Sequence, residues 1–105
     1  MEDLEENIGK AIEVLKGSIA SRTQCDDVQK VAQSILNLST AKVMCAGSEP
    51  TDEMDEELAF VLKKIRPHLD ATALVQLTQA VLNLTTARIT LTGKAKPKKQ
   101  GASAN

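Results

Sequence analysis

Two stretches of the chain, "SILNLSTAKVM" at 34–44 and "AVLNLTTARIT" at 80–90, are near-copies of one another at an offset of 46 residues. Leu36/Leu82, Asn37/Asn83, Leu38/Leu84, Thr40/Thr86 and Ala41/Ala87 are identical, and Ile35/Val81, Ser39/Thr85, Lys42/Arg88 and Val43/Ile89 match in kind. In a chain of 105 residues this repeat confines the fold severely. Whatever unit carries one copy must occur twice, and both units must share one modest core.

The spacing of apolar residues identifies the unit as a helix with a partner. Val28, Val31, Ile35, Leu38, Ala41 and Cys45 recur at steps of three and four, which places them on one helical face over about 24–45. Ala32, Leu36 and Val43 form a second stripe beside the first, so the apolar arc is wider than a narrow seam. The second copy repeats the arrangement with Leu74, Leu77, Val81, Leu84, Ala87 and Leu91, flanked by Leu82 and Ile89. A helical pattern precedes each copy. Leu4, Ile8, Ala11, Ile12, Leu15 and Ile19 predict a helix over about 2–20, and Met54, Leu58, Val61, Leu62, Ile65 and Leu69 predict one from Thr51 toward Pro67. The same offset aligns Ile12/Leu58, Leu15/Val61 and Ile19/Ile65.

The expected fold is therefore all-α, a four-helix bundle built from a duplicated antiparallel helical hairpin, with up-down-up-down connections. The hairpin repeats occupy 1–47 and 48–93, together forming one helical domain over 1–93. Ser21, Thr23 or Asp26 is expected to cap the second helix, and Asp70 or Thr72 the fourth. Hairpins packed side by side, with their remaining apolar faces closed by dimerisation, are the alternative.

Composition agrees with helices. Phe60 is the only aromatic residue, and Trp and Tyr are absent, so the core must come from Leu, Ile, Val, Ala and Met, which suit helices better than sandwiches or barrels. The apolar runs fall far short of the roughly 20 residues that span a bilayer. The opening "MEDLEEN" is acidic where a secretory leader is basic, so a cytoplasmic protein without a membrane partner is expected. The net charge of −1 hides an asymmetry: residues 1–93 carry fourteen acidic and nine basic side chains, whereas 94–105 carry four lysines and no acid. That final segment, "KAKPKKQGASAN", has no apolar stripe and is expected to be a disordered basic tail.

Catalytic chemistry is not expected. The chain has no phosphate-binding glycine loop, nucleophile triad or zinc-ligand spacing. His68 is its single histidine and stands apart from Cys25 and Cys45, which read as free thiols. The acidic run from Asp52 to Glu57 reads as a solvated first helical turn. No catalytic residue, cofactor or metal is assigned, and the expected class is not an enzyme.

Three surfaces remain as candidates. The second stripes, Leu36, Val43, Leu82 and Ile89, have no use within a single hairpin and are the expected site for a protein partner or for a homo-oligomer. Asn37, Lys42, Asn83 and Arg88 occupy equivalent places and would line a groove for an anionic nucleotide if the hairpins were related by an internal twofold axis. Lys94, Lys96, Lys98 and Lys99 are the alternative for nucleic acid, which would be held by phosphate contacts alone because no aromatic platform accompanies them.

The repeated segments, with Gln33, Leu36, Asn37, Leu38 and Ala41 in one and Gln79, Leu82, Asn83, Leu84 and Ala87 in the other, resemble small all-helical accessory proteins of tailed-phage genomes. That resemblance implies a viral accessory protein acting by binding a host or viral protein, including inhibitors of host defence, within the host cytoplasm. "LTTAR" at 84–88 is also similar to a segment of phage sponges that sequester signalling nucleotides. This chain departs from those in having two hairpins and a single aromatic residue.

Overall fold

The computed structural model describes residues 4–46 and 54–95, and contains four helices: α1 (Leu4–Ala20), α2 (Cys25–Cys45), α3 (Asp55–Leu62) and α4 (Ala71–Ala95). Acidic residues occupy the first turns of α1, α2 and α3, where they complement the positive end of the helix dipole. Asp70 caps α4, its Oδ2 accepting hydrogen bonds from the backbone N–H groups of Thr72 at 3.1 Å and Ala73 at 3.3 Å. The expected side-chain cap on α2 is not formed. Gln24 is the extended residue that opens this helix, and its side chain makes no capping bond.

α3 is shorter than the sequence pattern suggests. It ends at Leu62, and the chain then tightens through three-residue turns, with Lys64 N–H donating to the carbonyl of Val61 and Ile65 N–H to that of Leu62. Pro67 then keeps the helix from resuming, because its ring disfavours helical geometry at Arg66. Ile65 nevertheless reaches the core at 7% exposure. At the other end Met54 enters α3 with φ of 69°, a left-handed conformation that costs a non-glycine residue about 1 kcal/mol. α4 runs through Ala95, so Lys94, assigned to the tail from sequence, belongs to the helix; 96–105 lie outside the described residues.

The four helices form a bundle, in which α2 packs most extensively against α4, α1 against α2, and α3 against α4, while α1 touches α3. Short turns make each hairpin antiparallel. Between hairpins, however, like helices run parallel. Lys30 bonds Thr72 at 3.0 Å and, further along both helices, Asn37 bonds Thr78 at 3.2 Å. At the α1 end, Ser18 Oγ donates to the Pro67 carbonyl at 2.8 Å, and Arg22 donates to the carbonyls of Pro67 and Leu69 at 3.1 and 2.6 Å. The hairpins are thus laid side by side, α1 beside α3 and α2 beside α4. An internal twofold along the bundle would put like helices across the diagonal, so the twofold relation expected from the repeat is not the one adopted.

Burial records this arrangement residue by residue. In α2 the buried positions include Val31, Ser34, Leu38 and Ala41; in α4 they include Thr78, Val81, Thr85 and Arg88. Those sets are 47 apart, one residue out of step with the sequence repeat of 46. The same displacement links Ala11, Leu15 and Ser18 of α1 to Leu58, Leu62 and Ile65 of α3. One residue is about 100° around an α-helix. Each helix of the second hairpin is therefore turned relative to its counterpart, because the first hairpin is covered on one side and the second on the opposite side.

This rotation shifts the expected stripe of α4, in which Leu74 and Val81 are fully buried and Leu77 and Leu84 pack against the core from its edge. Leu77, Leu84 and Ala87 are only half-buried and Leu91 is 41% exposed, while the inward line alternates Leu74, Thr78, Val81, Thr85 and Arg88. The threonines on that line satisfy themselves locally. Thr78 Oγ1 donates to the Leu74 carbonyl at 2.8 Å and Thr85 Oγ1 to the Val81 carbonyl at 2.7 Å, so a β-branched side chain packs like valine without an orphaned hydroxyl.

Candidate functional site

The four residues of the second stripes have separate fates. Leu36 is 57% and Val43 75% exposed on α2, two turns apart on one face, with exposed Ala32 and Thr40 beside them. Leu82 and Ile89 are half-buried. They lie one helical turn from Thr78 and Thr85, on the flank of α4 that meets α2, and Leu82 packs against the core cluster. The surplus apolar arc of the second copy is partly covered inside the molecule; that of the first is left outward.

The four polar candidates are likewise dispersed. Asn37 is buried at 4% exposure, where it donates to Thr78 Oγ1 and accepts from Gln33 Nε2 at 3.1 Å. Asn83 accepts the equivalent bond from Gln79 at 3.1 Å but is exposed on the far side of α4. Arg88 is 2% exposed and donates through Nε to Asp55 Oδ1 at 2.6 Å. Lys42 is half-exposed and lies 3.5 Å from Glu5. Its stem crosses Gly9, where an added Cβ would stand 3.3 Å from Lys42 Cε. Position 9 is the repeat counterpart of Asp55, so each cation reaches the helix before it at the same level and meets a carboxylate there.

No single groove gathers this set. Lys42 lines a shallow, open depression between α1 and α2 together with Glu5, Glu6, Gly9, Lys10 and Glu13. Three carboxylates outnumber the two ammonium groups there, which repels rather than attracts an anion. Lys96, Lys98 and Lys99 lie outside the described residues, as does the side chain of Lys94.

The remaining titratable residues are scattered. Cys25 is exposed, Cys45 buried, and neither is in a disulfide. Burial pushes the Cys45 thiol up, opposed by the nearby Arg88 guanidinium and by a hydrogen bond with Thr85. His68 is exposed. Among the described residues no three His, Cys, Asp or Glu side chains converge as metal ligands, and no helix is long and apolar enough to cross a membrane.

One surface escaped the sequence reading. From Ala71 to Gly93 the only charged residue is Arg88, and Arg88 is buried. The solvent side of α4, comprising Thr72, Gln76, Gln79, Asn83, Thr86 and Thr90, is consequently uncharged over almost the whole helix, and exposed Leu91 borders it. α2 is also charge-free from Val31 to Ala41. By contrast, α1 and α3 carry Glu5, Glu6, Lys10, Glu13, Lys16, Asp55, Glu56 and Glu57. Depletion of charge is a compositional mark of interface cores, and a count of charges along each helix would have exposed it. Phe60, 64% exposed on α3 with Lys64 Nζ 4.5 Å from its ring centre, is a further apolar group at the surface.

No protein-family model matches the chain, and neither a curated protein nor a solved structure does.

Proposed function

We propose that the protein is a noncatalytic binding module whose working surface is the outward face of α2, centred on Leu36 and Val43. The observation that carries this reading is the exposure of those two aliphatic side chains, 57% and 75%, on a helix whose central stretch bears no charge. Their counterparts Leu82 and Ile89 are partly covered within the fold, which supports treating this face as one suited to packing. The resemblance of the repeat to phage accessory proteins is the ground for placing the protein partner in a phage-infected cell, with interference in host defence as the corresponding role.

The test is capture by immobilised wild-type protein, compared with a variant carrying Leu36→Glu and Val43→Glu. Proteins retained by the wild type and lost by the folded variant support the reading. Equal retention by both contradicts it.

A further inference from the structure

The contact between α2 and α4 is asymmetric: one copy of the repeat offers the side bearing Asn37 and Cys45, which bond Thr78 and Thr85 of the other, with buried Ala41 between them, and Leu82 and Ile89 follow those threonines by one helical turn. Each copy possesses both kinds of side. The repeat counterparts of Asn37, Ala41 and Cys45 are Asn83, Ala87 and Leu91, which lie on the outward side of α4, where Asn83 and Leu91 are exposed and Ala87 half-buried. The counterparts of Leu82 and Ile89 are Leu36 and Val43, exposed on the outward side of α2. The molecule therefore displays, at its two opposite ends, the two halves of an interface that it already makes internally.

We propose that a second copy of this chain docks its Leu36 and Val43 against Asn83, Ala87 and Leu91, so that molecules stack head to tail. The proposal rests on the reading of the α2 face as a docking surface and specifies its occupant. Ala80 and Ala87, a row of small residues on α4, leave a groove between larger neighbours into which aliphatic ridges can seat. Both faces are uncharged across their centres, so the approach meets no like-charge repulsion. Where Lys30 bonds Thr72 inside the molecule, the repeat counterparts across the new junction are Gln76 and Asp26, an amide donor and a carboxylate. Stacked hairpins normally end in repeats with polar caps, and neither end here carries charge along its central face. Such a contact is heterologous and propagates unless it closes into a ring.

The experiment is analytical ultracentrifugation of the full chain and of two single variants, Leu36→Glu and Ala87→Glu, with circular dichroism to verify helicity; Leu91→Lys replaces Ala87→Glu if the latter unfolds. Wild type is expected to grow in mass with concentration beyond a dimer, and each variant alone to remain monomeric. An equal mixture of the two variants is expected to double in mass and stop, because one supplies an intact α2 face and the other an intact α4 face. A wild-type monomer at all concentrations overturns the stacking while leaving protein capture by the α2 face to be judged by its own test. A dimer that survives Ala87→Glu and Leu91→Lys but not Leu36→Glu also overturns it, in favour of two α2 faces meeting each other.

Discussion

Leu38 and Leu84 hold the same place in the repeated motif, yet Leu38 is fully buried and Leu84 remains partly open to solvent. Arg88 is buried against Asp55, while its counterpart Lys42 stands half-exposed beside Glu5. The two copies encode one amphipathic helix with an arc wide enough to be buried from either side. Position in the stack decides which side is used. Inside the first hairpin the arc turns toward α4; inside the second it turns back toward α2. Paired substitutions at equivalent positions measure the difference directly.

The largest contrast is expected at the motif leucines. Leu38→Ala should cost about 3 kcal/mol of unfolding free energy, the range for emptying a fully buried leucine site, whereas Leu84→Ala should cost about 1 kcal/mol. Urea denaturation of both variants checks this, and equal losses would break the comparison. Next come the cations. Arg88→Met leaves the Asp55 carboxylate without its 2.6 Å partner and should cost about 2 kcal/mol, below the range for fully buried pairs because Asp55 is 28% exposed. Lys42→Met should change stability by less than about 0.5 kcal/mol, as exposed pairs do.

A smaller difference separates the asparagines. Asn37→Ala removes the bond to Thr78 within the α2–α4 contact and should cost about 1 kcal/mol; Asn83→Ala should be close to neutral in the monomer. The smallest effect on the fold, though the easiest to read, concerns the thiols. Cys25 should react quickly with a thiol reagent at neutral pH. Cys45, buried and with its thiolate disfavoured by desolvation, should react only as fast as the bundle opens. Mass spectrometry of partially labelled protein distinguishes one fast site from two.

Much of the architecture was legible in the spacing of apolar residues. Steps of three and four placed all four helices and Asp70 caps α4 as one of two candidates, whereas the third helix stops at Leu62, short of the Pro67 boundary that the spacing suggests. Hairpins laid side by side were one of two arrangements that the spacing allowed, and nothing in it chose between them. Leu36 and Leu82 are the same residue in the same motif, and nothing within eleven residues says that one is covered and the other is not. That distinction arises from which neighbour each helix meets. Arg88 illustrates the same point, since its burial depends on Asp55, a residue 33 positions away in a run of carboxylates that sequence alone assigns to solvent. The uncharged exterior of α4 was legible in principle but concealed by the strength of its helical stripe, which drew Ala87 and Leu91 into the inferred core.

The side-by-side relation of the hairpins is the claim on which the rest depends, and proton NMR of the Asn37 side-chain amide tests it most directly. Hairpins laid side by side give nuclear Overhauser contacts from that amide to the Thr78 methyl group, since Asn37 Nδ2 and Thr78 Oγ1 are 3.2 Å apart, and none to Asn83. Contacts between Asn37 and Asn83, or between Leu38 and Leu84, would mean that like faces of the repeat meet and would contradict it.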